Sequence, residues 1–179
     1  AVWDALRGIG VMAVGVETYA NSRRLEKSLR LQNADLHTQY NLIEAALARP
    51  KVKEADFRGK AKHVEYRERD HQPAMLCTLV MTDNIDTNGV ARYPVGNLPV
   101  MDPDTGKTLI DELGRRSYTT SIAFGPSIGK NIALAYLPWD YCQEGRKLTV
   151  SYFDEIYPVE VVGIGYKPLY DPENLKPRS

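Results

Sequence analysis

Four cationic residues fall within eight positions, Arg23, Arg24, Lys27 and Arg30, and they are the side chains best suited to hold an anionic ligand. On a helix, steps of four and three place Arg23, Lys27 and Arg30 on one face, while Arg24 points about 100° away. The first three read as a solvated face. Arg24 turns instead toward the body of the domain. There a guanidinium makes paired, planar contacts with carboxylate or carbonyl groups of a ligand, or closes a structural ion pair with an acid such as Glu26 or Glu44. The residue types alone leave both readings open.

Other reactive patterns are weaker. Gly125-Pro126-Ser127-Ile128-Gly129 has the spacing of a nucleophile elbow, but the β-like run from Asn131 onward leaves no helix after the serine. The same segment, with Lys130, lacks the spacing and following helix of a phosphate loop. A turn is the remaining reading, in which Ser127 or Asn131 hydrogen-bonds a neighbouring peptide group. His37, His63 and His71 are scattered, so no metal site is expected. Cys77 and Cys142 lie 65 positions apart, which suits neither metal ligation nor a secreted disulfide framework and predicts reduced thiols without a partner. Asp83/Asp86, Asp102/Asp104, Asp111/Glu112 and Asp154/Glu155 sit in turn contexts and read as solvated turn residues.

The elements that must position these groups change character near residue 73. Before it the chain reads as short helices and irregular connections: Val2 to Leu6, Glu17 to Leu25, Leu42 to Leu47 stopped before Pro50, and Phe57 to Glu68 capped by Asp56. Glu65 to Pro73 has almost no apolar content and marks the expected boundary. After it come short β-type runs separated by turn residues: Ala74 to Met81, Val90 to Val95, Ser117 to Phe124, and Ile132 to Leu137, the last apolar enough for burial on both faces. Lys147 to Phe153 alternates and pairs with Ile156 to Val162 across Asp154-Glu155 as a hairpin. The expected fold class is α+β, an N-terminal helical and mixed segment (1–72) followed by a small antiparallel β-barrel (73–170) and a surface tail (171–179).

Lys+Arg and Asp+Glu are each 23 among 179 residues, so no general attraction to nucleic acid or anionic membrane is expected. Residues 1–70 hold 13 basic and 10 acidic residues, and the remainder the reverse balance. No run approaches the ~18 apolar residues of a membrane span, and the start lacks a secretory signal pattern. The chain opens within a helix-like run without an initiator methionine, and reads as a fragment or a subunit of something larger.

Several segments together resemble the C-terminal half of the glycine-cleavage T-protein (aminomethyltransferase) family. Ser22-Arg23-Arg24-Leu25-Glu26 looks like S-L-R-L-E, Ile43-Glu44-Ala45-Ala46-Leu47 like V-E-A-G-L, and Asp56-Phe57-Arg58-Gly59-Lys60 like D-F-I-G-R. Pro126 to Tyr136 resembles the C-terminal signature, and Tyr157-Pro158-Val159-Glu160-Val161-Val162 the Y-P-A-x-V-V strand. The resemblance implies a tetrahydrofolate-binding fold ending in a β-barrel, of the kind that also follows a flavin domain in dimethylglycine and sarcosine dehydrogenases. By position, Arg24 corresponds to an arginine that contacts folate. The pattern departs at Ser28, where a glycine is expected, at Gln32-Asn33, where Tyr-Gly is expected, and at Phe153-Asp154-Glu155, where a second folate-binding arginine often stands. Much of the family's folate cavity belongs to a preceding half. The resemblance therefore implies a missing N-terminal partner half, FAD in a missing domain or partner, a small methylated amine as substrate, and a cytoplasmic or mitochondrial-matrix location. A scaffold that keeps the fold without folate is the alternative.

Overall fold

The computed structural model describes residues 1–175. Helix α1 (Val2–Gly8) forms where the sequence predicts it and buries none of its residues. The expected helix from Glu17 to Leu25 is wound differently: Thr18–Arg23 is a π-helix that runs into a single turn, α2 (Arg24–Glu26). Residues 42–46 form turns rather than a helix. There Asn41 Oδ1 accepts the N–H groups of Ile43 and Glu44, and Glu44 Oε2 accepts that of Asn41, a reciprocal cap without a helix to follow. Helix α3 (Lys60–Arg67) is shorter than expected and has no side-chain cap from Asp56. Gly59, at φ 88, turns the backbone left-handed and prevents residues 57 and 58 from joining it.

Six strands form one antiparallel sheet in the order β2-β5-β6-β1-β4-β3: β1 (Ala74–Met81), β2 (Val100–Met101), β3 (Thr119–Gly125), β4 (Lys130–Pro138), β5 (Lys147–Tyr152) and β6 (Glu155–Ile164). The two ends of the sheet meet through the segments leading into β2 and β3. Asn97 N–H donates to Thr119 O, Thr119 N–H to Leu98 O and Val100 N–H to Ser117 O, around an antiparallel Pro99–Tyr118 bridge. This joining satisfies edge groups that an open sheet would leave unpaired. Phe153 and Asp154, at φ 49 and 62, make the tight turn of the predicted β5–β6 hairpin.

The apolar pattern of β1 and β4 is nearly continuous because each strand serves two cores. Cys77, Leu79, Met81, Ala133, Ala135 and Leu137 face the barrel interior with Leu148, Val150, Tyr157, Val159 and Val161. Ala74, Leu76, Ile132, Leu134 and Tyr136 face outward onto Leu25 and Ala45 of the N-terminal segment. Side chains of successive strand residues point to opposite faces, so both faces of these strands must be apolar. One face of the sheet thereby becomes the floor on which the helical segment is built.

Two further expectations fail. Val90 to Val95 makes no strand beyond an isolated Ile85–Ala91 bridge, and Val90, Tyr93 and Val95 are exposed. Asp86 folds this stretch back on itself by accepting the N–H groups of Asn88 and Val90 and the Arg92 Nε–H. These bonds, with the Arg92 charge, hold its carboxyl below the ordinary range. The cysteines, expected without partners, bring their sulfurs to 3.8 Å, because β1 and the connection after β4 meet at one end of the barrel. Of the tail, residues 176–179 lie outside the described residues. Its beginning is tied down, with Lys27 Nζ donating to Asp171 and Asn174.

Candidate functional site

The four cations of the N-terminal segment line one cleft of about 390 Å³, together with Tyr19, Ala20, Leu29 and Leu31. A backbone reversal after α2 builds it: Leu29 N–H returns to Arg24 O, and Ser28 sits at φ 55. Ser28 occupies a position where the family pattern carries glycine. The same holds at Ala46, φ 52, and Asn33, φ 66. All three residues hold a left-handed backbone that glycine adopts without a steric cost. Ala46→Gly is expected to raise stability by about 1 kcal/mol, read as a higher urea midpoint with an unchanged slope. A neutral or lower midpoint would show that the Ala46 methyl group, packed close to Gly165, contributes more than the strain costs.

Arg24 is 8 % exposed and lies against the body of the domain, as the helical geometry predicts. Its structural partner is Asp35, however, and not Glu26 or Glu44. Nη1 donates to Asp35 Oδ2 at 2.7 Å and to Leu29 O at 3.1 Å, Nη2 to Ser121 Oγ at 2.6 Å, and Nε to Ala20 O. These bonds take four of the five guanidinium N–H groups. Asp35 is fully buried and accepts from Leu31 N–H, Thr120 Oγ1–H and Ser121 Oγ–H as well as Arg24. Tyr136 donates to its carbonyl at 2.8 Å. Sequence reasoning missed Asp35, which lies eleven positions from Arg24 in a stretch without helical periodicity.

The other acids have their own partners. Glu26 accepts Ser127 N–H at 2.6 Å and pairs with Arg23 at 3.3 Å. The Gly125–Gly129 turn is therefore a structural clasp against α2, and no elbow geometry exists there. Gly125 is required at its close approach, since an added Cβ would stand 2.5 Å from Ile132 Cδ1 and 3.3 Å from Glu26 Cγ. Glu44 pairs with Arg115, whose Nε also donates to Asp111 at 2.6 Å. Burial pulls the Arg115 pKa down, but the hydrogen bonds and charges of Glu44 and Asp111 outweigh it and leave it above its ordinary value.

Arg30 differs from Arg24. Its Nε and Nη1 donate to Ala45 O and Ser28 O, and the guanidinium lies over the Tyr166 ring at 5.5 Å, but Nη2 is buried without a hydrogen-bond partner. Burial lowers its pKa. Arg30, which lines the cleft with Leu29 and Leu31, thus keeps a buried guanidinium nitrogen that no described protein group satisfies. The Phe153–Glu155 hairpin tip contributes nothing to it. The tip lies at the far end of β6 from the Tyr166 that packs on Arg30, roughly 30 Å away for ten residues in extended conformation, and Glu155 accepts from Thr87 instead. Among the described residues no group of three or more acids, histidines or cysteines could hold a metal ion, and no helix is long and apolar enough to cross a membrane.

Residues 94–171 match a family model described as the glycine cleavage T-protein C-terminal barrel domain. Human mitochondrial dimethylglycine dehydrogenase is 28% identical over 168 residues, covering 90% of this chain and 17% of that protein. An aminomethyltransferase from Exiguobacterium sibiricum is 30% identical over 86% of this chain and 40% of its own length. The crystal structure of the glycine cleavage system aminomethyltransferase T from Bartonella henselae superposes with a TM-score of 0.74 at 22% identity, over 96% of this chain and 44% of that one. The chain therefore spans less than half the length of each of these proteins, and about a sixth of the dimethylglycine dehydrogenase. It carries a glycine cleavage T-protein C-terminal barrel domain, and over most of its length it is a distant homologue of dimethylglycine dehydrogenases and aminomethyltransferases.

Proposed function

We propose that this chain is the C-terminal part of a tetrahydrofolate-dependent one-carbon transferase, the folate-side module of a demethylating amine oxidoreductase. The observation that carries the reading is the basic cleft itself. It combines an apolar floor, Leu29 and Leu31, with Arg23 and Lys27 and with an Arg30 donor that no protein group satisfies. A buried donor without a partner costs free energy, and an anionic, carbonyl-bearing ligand relieves that cost by accepting from it. Tetrahydrofolate fits these residues: Arg30 would donate to it, the leucines would pack on its ring system, and Arg24 would hold the wall of the cleft through Asp35 with one N–H left to contribute. When bound, tetrahydrofolate supplies the nitrogens that capture a one-carbon unit. The chain's own contribution is confinement, which raises effective concentration and keeps water from a reactive carbon.

The remaining catalytic parts would lie outside these residues, in a preceding half that completes the cavity and in a flavin unit that oxidises a methylated amine. A folate-free scaffold is the second reading, favoured by the four committed N–H groups of Arg24. Calorimetric titration of 5-formyltetrahydrofolate into the full-length parent, which contains the preceding half, separates the two. Saturable binding that weakens about tenfold or more in Arg30→Ala, the loss of one charge-assisted hydrogen bond, supports the transferase reading. Absence of heat at millimolar ligand supports the scaffold.

A further inference from the structure

Cys77 and Cys142 lie at the end of the barrel covered by the 3-10 turn Trp139–Tyr141. Cys77, in the middle of β1, is fully buried, and Cys142 is half-buried directly after that turn. The turn is held on the barrel by Trp139 N–H to Pro73 O at 3.2 Å and by Tyr141 Oη–H to Asp102 Oδ2 at 3.0 Å. The cysteine sulfurs stand 3.8 Å apart, with Cys77 Sγ donating to Cys142 Sγ. They need to approach by less than about 2 Å to reach the ~2.05 Å of a disulfide. We propose that these two thiols form a peroxide-responsive disulfide that staples the 139–142 cap to the central strand.

The two sulfurs divide the work. The hydrogen bond from Cys77 holds the Cys142 thiol below its ordinary pKa, and the same bond together with burial pushes Cys77 well above its own. Cys142, the more exposed cysteine, is the one that meets the oxidant, and it reacts through its thiolate form. It attacks one peroxide oxygen, the O–O bond breaks, and after one proton is taken up water leaves a sulfenic acid on Cys142. The Cys77 sulfur then attacks the Cys142 sulfur, the S–O bond breaks, and the departing hydroxide takes the Cys77 proton as a second water. In balance, two thiols and one hydrogen peroxide give one disulfide and two waters, with two electrons passing from sulfur to oxygen. The bond closes a long loop holding β2, β3 and β4, so the oxidised chain resists unfolding.

Hydrogen peroxide followed by intact-mass and peptide analysis without reductant tests this. The expected result is loss of two hydrogens at monomer mass, Cys77 and Cys142 peptides cross-linked, reversal by dithiothreitol, and a Tm higher by about 5 °C in the oxidised form. Cys77→Ser should instead accumulate one oxygen on Cys142, trapped by dimedone. Wild type that gains oxygen at Cys142 without the cross-link, forms disulfide-linked dimers, or stays unreacted where free cysteine is oxidised would overturn the proposal. These wild-type outcomes do not depend on whether the serine variant folds.

Discussion

Asp35→Ala is expected to cost about 3–5 kcal/mol, the range for breaking a buried ion pair by removing one partner. The carboxylate is fully buried and each of its oxygens accepts two hydrogen bonds, from Arg24 and Leu31 at Oδ2 and from Thr120 and Ser121 at Oδ1. Its loss leaves a guanidinium facing empty space and the Ser121 hydroxyl short of an acceptor, while Thr120 Oγ1 turns to Leu134 O at 3.2 Å. Arg24→Ala leaves the converse charge, so the double variant should lose clearly less than the sum of the singles. Urea unfolding of the three variants measures this. A cost below about 1 kcal/mol for Asp35→Ala would mean that water enters and satisfies Arg24, and that the pair does not fix the cleft wall.

The second large effect is expected at Arg115. Its Nη2 donates to Glu44 and Nη1 to Gln39 O, each at 2.5 Å, and its Nε to Asp111 at 2.6 Å, while its guanidinium lies 4.2 Å over the Tyr40 ring. Tyr40 in turn stacks on Tyr136 at 3.6 Å, which carries the column into the outer core. Arg115→Ala removes the cation that neutralises two buried carboxylates and should cost about 2–3 kcal/mol at pH 7, less than a fully buried pair because Arg115 retains some solvent contact. Urea unfolding measures this, and a cost below about 1 kcal/mol would show that water replaces the cation at Glu44 and Asp111.

The barrel was the most legible part of the chain. Alternation in Leu148, Val150 and Tyr152 and the unbroken apolar runs of β1 and β4 state which faces are buried, because a strand has only two. Val90 to Val95 shows the limit: its composition suits a strand, but the Asp86 side chain offers the backbone a local alternative that composition does not reveal. In the N-terminal segment, helical geometry turned Arg24 inward, yet its partner is chosen by a backbone reversal at Ser28, a position that residue identity does not mark as left-handed. The meeting of Cys77 and Cys142 and the pairing of Glu44 with Arg115 are products of sheet topology, which brings together residues far apart in sequence. Arg30 read as a solvated cation because its stacking partner, Tyr166, comes from beyond β6.

The most direct measurement is a crystal structure of the protein with 5-formyltetrahydrofolate. The account predicts the pteridine ring against Leu29 and Leu31, an acceptor within hydrogen-bond distance of Arg30 Nη2, and the Arg24–Asp35 pair undisturbed behind it. Ligand density elsewhere on the chain, or an Arg30 that stays unpartnered while the ligand is bound, would contradict it.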